Sequence, residues 1–139
     1  MVTVRNLKDW ANGQRMLNKV IIKIENRTIR PSVTMVSYLT GAYLKNTNDG
    51  FALVLESQIM SGEPIGTHGL GYLIGYIDEQ MERGNISNDS FVFLESNNNT
   101  FTYPVGMKSP AFNISNSPNH ELQVTGYISA EKSIPSFFN

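Results

Sequence analysis

Alternation between apolar and polar residues predicts β-strands along most of the chain. Residues 19–25 place valine and isoleucine on one side of an extended chain and lysine and glutamate on the other, the pattern of a half-buried strand. Residues 51–55 and 91–94 are apolar throughout, as in strands that are buried on both faces. The remaining predicted strands are residues 33–40, 111–115 and 121–128.

The segment 62–77 opens with a Pro/Gly turn and continues as an apolar run with glycine at short intervals. These glycines are Gly66, Gly69, Gly71 and Gly75. Each would destabilise a helix by about 1 kcal/mol, whereas a strand that bends or lets another backbone come close accommodates glycine. We therefore predict a bent strand here, placed between strands 51–57 and 91–96 in an antiparallel unit of three.

One amphipathic helix is predicted near the N-terminus, over residues 5–18. Its apolar face consists of Leu7, Trp10, Ala11 and Leu17. Two interpretations of this face stay open. The helix packs on the sheet as part of the core, or it detaches and lies on a membrane with Trp10 at the interface.

Strands dominate, and neither a βαβ alternation nor an internal repeat is evident. The sequence therefore predicts a mainly β protein, an antiparallel β-sandwich with a short amphipathic N-terminal helix. Because 139 residues is the length of one domain, residues 1–139 are expected to form a single unit. The core strands fall within 19–128, and the apolar tail 134–138 is expected to dock back on the body.

Composition excludes several functional classes. Only 17% of the residues are charged and the net charge is −1, so the basic surface of a nucleic-acid-binding protein is missing. Without cysteine there are no disulfides, thiolate metal sites or cysteine nucleophiles. Neither a signal peptide nor a transmembrane run is apparent, so we expect a soluble chain, with secretion left open.

Catalytic chemistry is not expected either. His68 and His120 are the only histidines, and neither has a carboxylate at metal-ligand spacing. No nucleophile motif or paired acid and base can be assembled. We therefore expect no enzyme activity, no metal site and no cofactor.

The segment 97–110 is expected to be a long loop that exposes Phe101 and Tyr103. Exposed aromatic residues on a loop favour contact with a partner. A tyrosine suits both a bilayer interface and stacking on a sugar.

Five stretches resemble a known protein family when they are taken in order. They are 20–28, 38–41 (Tyr-Leu-Thr-Gly), 50–54 (Gly-Phe-Ala-Leu-Val), the glycine-rich 62–73, and 91–96. In this order they resemble the core strands of the actinoporin-like pore-forming cytolysins and, more distantly, of the aegerolysins.

The resemblance implies a membrane-binding and pore-forming protein that recognises a lipid headgroup and forms a homo-oligomer on the membrane. Carried over by position, the headgroup site would use the hydroxyls of Thr40 and Ser96 for the phosphate and Tyr103 for a quaternary ammonium. The other aromatic residues expected at first contact are Tyr38, Tyr43 and Phe101.

Two alternatives from other classes stay open. In a lectin-like or other binding module, Phe101 and Tyr103 would contact a cell-surface glycan or a protein. In a structural or assembly subunit, a defined oligomer would form without any ligand.

Overall fold

The computed structural model of this protein describes residues 2–26, 31, 33–59, 65–97, 102–105, 111–112 and 122–125. The chain is mostly β, with two short helices, α1 (Val4–Ala11) and α2 (Leu70–Glu82). The strands are β1 (Ile21–Asn26), β2 (Val33–Thr47), β3 (Gly50–Ile59), β4 (Val92–Asn97), β5 (Thr102–Val105), β6 (Ala111–Phe112) and β7 (Leu122–Thr125).

All seven described strands belong to one mixed sheet with the order β5-β4-β3-β2-β1-β7-β6. The pairs β3/β4 and β1/β7 are parallel, and the other neighbours are antiparallel. A sandwich would need a second sheet facing this one, and the described strands do not supply it. The two helices cover one face of the sheet instead.

The main core lies between the helices and that face, which we call the helix face. Its members come from α1, α2 and the central strands, and all are nearly inaccessible to solvent. They include Val4, Leu7, Trp10, Ile22, Leu39, Leu53, Leu55, Leu70, Leu73, Ile77, Val92 and Leu94. The predicted burial of the two apolar runs is confirmed for residues 52–55 and 92–94, whereas the first residue of each run, Phe51 and Phe91, is exposed.

The prediction of a bent strand over 62–77 is wrong, because residues from Leu70 onward form α2. The predicted antiparallel unit of three strands is wrong for the same reason. In the structure β3 and β4 pair directly with each other, and they are parallel. A parallel pair needs a crossover connection, usually a helix, and α2 lies in the only segment that joins these two strands.

Burial outweighs the cost of the glycines in this helix. Leu70, Leu73 and Ile77 recur at helical spacing and are fully buried against the sheet. Their burial contributes on the order of 6 kcal/mol, against about 2 kcal/mol lost at Gly71 and Gly75. The glycine count was therefore the weaker signal, and the three-and-four spacing of the large apolar residues was the stronger one.

Helix α1 is shorter than the predicted range 5–18. It begins after Thr3, whose hydroxyl accepts a hydrogen bond from the backbone N–H of Asn6 while the Asn6 side chain accepts one from the backbone N–H of Thr3. This capping box fixes the first turn. The helix ends at Ala11 and is followed by turns over residues 12–18. Within these turns, Gly13 adopts a left-handed φ of 81°.

Two further predictions need correction. Part of the predicted loop 97–110 is the strand β5, which pairs with β4. Strand β2 continues beyond the predicted end at residue 40 to Thr47 and turns into β3 through a tight hairpin. Phe101 and the tail 134–138 lie outside the described residues. Within the part of the chain that is described, no helix is long and apolar enough to cross a membrane.

The helical state of 70–82 can be tested at Gly75, where a methyl group would meet no atom within 4 Å. We expect Gly75→Ala to raise the free energy of unfolding by about 1 kcal/mol, and Gly75→Val to raise it by roughly half as much. Urea denaturation followed by circular dichroism would measure both.

The relative stability of the two Gly75 variants discriminates a helix from a strand. A strand would favour valine over alanine, so a larger gain for valine would contradict α2. Gly71→Ala is the matched control, because its methyl group would lie 3.3 Å from the Met16 carbonyl oxygen. We expect its gain to be smaller than that of Gly75→Ala.

Candidate functional site

Most of the residues with functional potential lie at one end of the sheet. We call it the α2 end, because β3 and β4 finish there and α2 begins there. The backbone N–H of His68 donates to the Leu39 carbonyl over 2.8 Å, and Lys19 forms an isolated bridge with Gly69. These contacts hold the loop before α2 against the sheet.

The predicted headgroup residues lie along one row at this end. Tyr103 of β5 is paired with Ser96 of β4, and Ser96 is paired with Ser57 of β3. Ser57 in turn faces Leu39, the residue next to Thr40 on β2. The backbone positions of Thr40, Ser96 and Tyr103 are therefore aligned across four neighbouring strands.

A β-bulge on β2 decides which side chains share a face. The pairing with β3 shifts between Leu39 and Gly41, so Thr40 is the additional residue. Leu39 belongs to the helix-face core, which places Tyr38 on the opposite face, because side chains alternate along a strand. The bulge then inverts the alternation, and Tyr43 also falls on this second face.

The second face carries a pair of carboxylates joined to a tyrosine. Glu56 of β3 and Glu95 of β4 are direct neighbours in the parallel register. The Tyr43 hydroxyl donates a 2.7 Å hydrogen bond to Glu95 Oε2. Gly41 lies opposite Glu56, and a Cβ atom there would come within 2.9 Å of Glu56 Oε1. The absence of a side chain at Gly41 leaves room for this carboxylate.

Electrostatics distinguish these groups from ordinary surface residues. Burial, followed by the charge of Glu95, raises the pKa of Glu56 above its usual value. Burial also raises the pKa of Tyr43, and its hydrogen bond to Glu95 raises it further. Ala52, Val54 and Phe93 are buried on the same face and form an apolar cluster with Tyr43, which contributes to this burial. The titratable groups Tyr43, Glu56 and Glu95 can hold a proton among them. Among the described residues, no group of three His, Asp or Glu side chains could hold a metal ion.

A second feature of the α2 end is a group of exposed apolar side chains, which we call the apolar tip. The exposed fractions are 47% for Met16, 92% for Leu17, 81% for Ile65 and 39% for Tyr72. Two backbone hydrogen bonds connect the parts of the tip. Leu70 N–H donates to Asn18 O over 2.8 Å, and Gly71 N–H donates to Met16 O over 2.9 Å. The loop between α1 and β1 is thereby fastened to the first turn of α2.

Charge is distributed unevenly around the tip. Arg15 and Lys19 flank Met16 and Leu17, and the described segments 10–24 and 65–77 contain no acidic residue. The acidic residues of α2 lie near its C-terminal end, at Asp78, Glu79 and Glu82. The N-terminal end of a helix also carries a partial positive charge, so the charged groups nearest to the tip along the described chain are positive.

The residues predicted to form a membrane-binding helix do not stay together. Leu7, Trp10 and Ala11 are buried in the core, whereas Leu17 lies beyond the end of α1 and is exposed. The structure therefore separates the predicted apolar face of 5–18 into three core residues and one residue of the tip.

Sequence reasoning missed the rest of the tip and the carboxylate pair. One signal for the pair was present: the tripeptide Leu-Glu-Ser occurs at the end of two apolar runs, at 55–57 and 94–96. The two copies are aligned residue for residue in the β3/β4 pairing. For Ile65 and Met16 no comparable signal exists, because exposure of a single apolar residue is set by the path of the loops.

Comparison with known proteins adds no family to this description. No family model, curated protein or solved structure matches the chain.

The raised pKa of Glu56 makes a testable contribution to stability. Because the folded state favours the protonated form, this group stabilises the protein at low pH, and its contribution falls as the pH rises from about 4.5 through the raised pKa. We expect Glu56→Gln, which removes the charge, to raise the urea midpoint at pH 7. The gain should shrink toward zero near pH 4.5.

The control for this experiment is Glu82→Gln, which removes an exposed carboxylate from α2. Its effect on the urea midpoint should be small at both pH values. An unchanged or lowered midpoint for Glu56→Gln at pH 7 would show that the carboxylate is not destabilised by its surroundings.

Proposed function

We propose that this protein binds the surface of membranes that contain anionic lipids and that the apolar tip makes the contact. The observation that carries the proposal is the exposure of Leu17 between Arg15 and Lys19, together with the exposure of Ile65 four residues before Gly69, the bridge partner of Lys19. This location differs from the headgroup site that the cytolysin resemblance implies, and the proposal rests on the tip alone.

Apolar exposure supplies the first part of the argument. Single exposed apolar residues are common on protein surfaces and need no explanation. Here Met16 and Leu17 belong to a loop that is hydrogen-bonded to the first turn of α2, directly after the segment that holds Ile65. Burying a leucine or isoleucine side chain contributes about 1.5–3 kcal/mol. A membrane interface would recover this energy for both residues at once.

The basic residues beside Leu17 favour an anionic surface as the partner. A basic residue near such a surface contributes about 1 kcal/mol, and Arg15 and Lys19 lie on either side of the exposed leucine. The acidic residues of α2 begin at Asp78, eight residues after the first residue of the helix. This separation is roughly 12 Å along the helix axis. Contact through the tip therefore brings basic residues, rather than this acidic group, close to the lipid.

Vesicle flotation tests the proposal. We expect the protein to float with phosphatidylserine/phosphatidylcholine vesicles at low salt, and less with vesicles of phosphatidylcholine alone. Leu17→Asp should weaken the partition at least tenfold, because it removes an inserting side chain and adds a repelled charge. Thermal unfolding would verify that the variant stays folded, as expected for so exposed a position.

Phe51→Asp is the matched control, since Phe51 is also an exposed apolar residue. It lies beside the β2–β3 hairpin turn, at the end of the sheet opposite the tip. We expect its partition to remain close to that of the parent chain. Equal losses for both variants would contradict a contact through the tip.

Failure of the parent chain to bind vesicles of either composition would refute the membrane proposal. If the parent chain instead formed oligomers in solution that Leu17→Asp dispersed, the tip would be a contact between protein copies. Analytical ultracentrifugation of the same two proteins would reveal this outcome.

A further inference from the structure

The edge of β2 that faces β1 is covered by a neighbouring strand along only part of its length. Strand β1 pairs with residues 33–38 of β2. At Leu39, the N–H donates to Val20 O over 3.2 Å and the carbonyl accepts from His68 N–H. On its other side, β2 pairs with β3 as far as Thr47. The described part of the chain therefore places no strand on the β1 side of residues 41–47.

The hydrogen bonding of β3 shows which backbone groups point to this edge. Leu53 N–H donates to Phe91 O over 2.9 Å, so it points toward β4 and away from β2. Leu44 lies opposite Leu53, and opposite residues of antiparallel strands either exchange their hydrogen bonds or both point away from each other. Leu44 therefore directs its N–H and C=O toward the uncovered edge. Because this direction alternates along a strand, Ala42 and Asn46 do the same.

Backbone groups along an uncovered edge are a template for pairing with another strand. We propose that two copies of this chain pair through residues 42–46 of β2, antiparallel about a two-fold axis at Leu44. In this register Leu44 lies opposite Leu44 of the second copy, and Ala42 lies opposite Asn46. The outward N–H and C=O groups of all three residues then have partners. This surface is separate from the apolar tip, so the inference goes beyond the proposed membrane binding.

The side chains of the segment favour a second copy as the occupant of the edge. Leu44 is half-buried and packs against the helix-face core, so two leucines that meet at the axis would extend this core across the interface. On the second face, Lys45 of each copy would lie opposite Tyr43 of the other. Tyr43 is hydrogen-bonded to Glu95, and Glu56 is the neighbour of Glu95. The segment thus complements itself in shape and charge, as a two-fold contact requires.

Sedimentation of the full chain over a range of protein concentrations tests the proposal, and we expect a monomer–dimer equilibrium. Asn46→Pro should raise the dissociation constant at least tenfold, because proline removes an N–H that is used twice by symmetry. The β2/β3 hydrogen bonds stay intact, since this N–H points away from β3, and proline is tolerated on edge strands. Asn46→Thr keeps the N–H and should dimerise like the parent chain. Urea unfolding would verify that both variants stay folded.

A disulfide tests the register, because the chain contains no cysteine of its own. In the proposed pairing the Cα atoms of the two Leu44 residues lie about 5.5 Å apart, within the range that a disulfide spans. Leu44→Cys should therefore form a covalent dimer under mild oxidation. Asn46→Cys is the matched control, since its two copies would be separated by about 14 Å along the strands. We expect it to stay monomeric on a non-reducing gel.

A parent chain that is monomeric at every concentration would overturn the inference. So would a dimer that Asn46→Pro leaves unchanged, or equal cross-linking of Leu44→Cys and Asn46→Cys. Leu17→Asp should leave the dimer intact, and a dimer that this variant alone disperses would place the contact at the tip instead. Vesicle flotation does not depend on any of these results, so failure of the strand pairing is distinguishable from failure of the membrane proposal.

Discussion

The parallel pairing of β3 with β4 is the constraint on which the rest of the structure depends. Two parallel neighbours cannot be joined by a hairpin, so the chain between them must return along the full length of the sheet. It does so as α2, whose Leu70, Leu73 and Ile77 are buried over the strands that they connect. Packing of α1 against the same face then completes the core, and its ion pair between Lys8 and Asp78, 3.2 Å long and exposed, adds little to it.

The pairing of β3 with β4 also positions both groups of candidate functional residues. Its register sets Glu56 beside Glu95 on the face away from the helices. Its crossover brings the start of α2 to the loop that holds Met16 and Leu17, because the first N–H groups of the helix donate to carbonyls of that loop. Helices leave these N–H groups without partners of their own. The loop supplies its backbone oxygens for this purpose, which leaves its side chains free to project outward.

Much of the β structure could be predicted from the sequence, since alternation and continuous apolar runs locate β1, β3 and β4 within a few residues. The error at 62–77 came from weighing glycine content above the spacing of Leu70, Leu73 and Ile77. Only burial against a sheet outweighs the cost of glycine, and burial is a tertiary quantity that a local pattern does not contain. The row of Thr40, Ser96 and Tyr103 could be anticipated only in part, because strand order and the bulge at Thr40 determine it.

The charge distribution along α2 gives the proposed membrane contact a defined orientation. The helix has its positive end, the two flanking basic residues and the exposed apolar side chains together, and its acidic residues at the other end. In the field of an anionic surface, this arrangement along α2 would favour an orientation with the N-terminal end of the helix toward the lipid. The exposed apolar side chains would then be the first to reach the lipid, where their burial begins to contribute to the binding free energy. Long-range charge and short-range apolar contact thus favour the same face of the molecule, and this agreement is the physical reason to place the contact at the tip rather than on the carboxylate-bearing second face of the sheet.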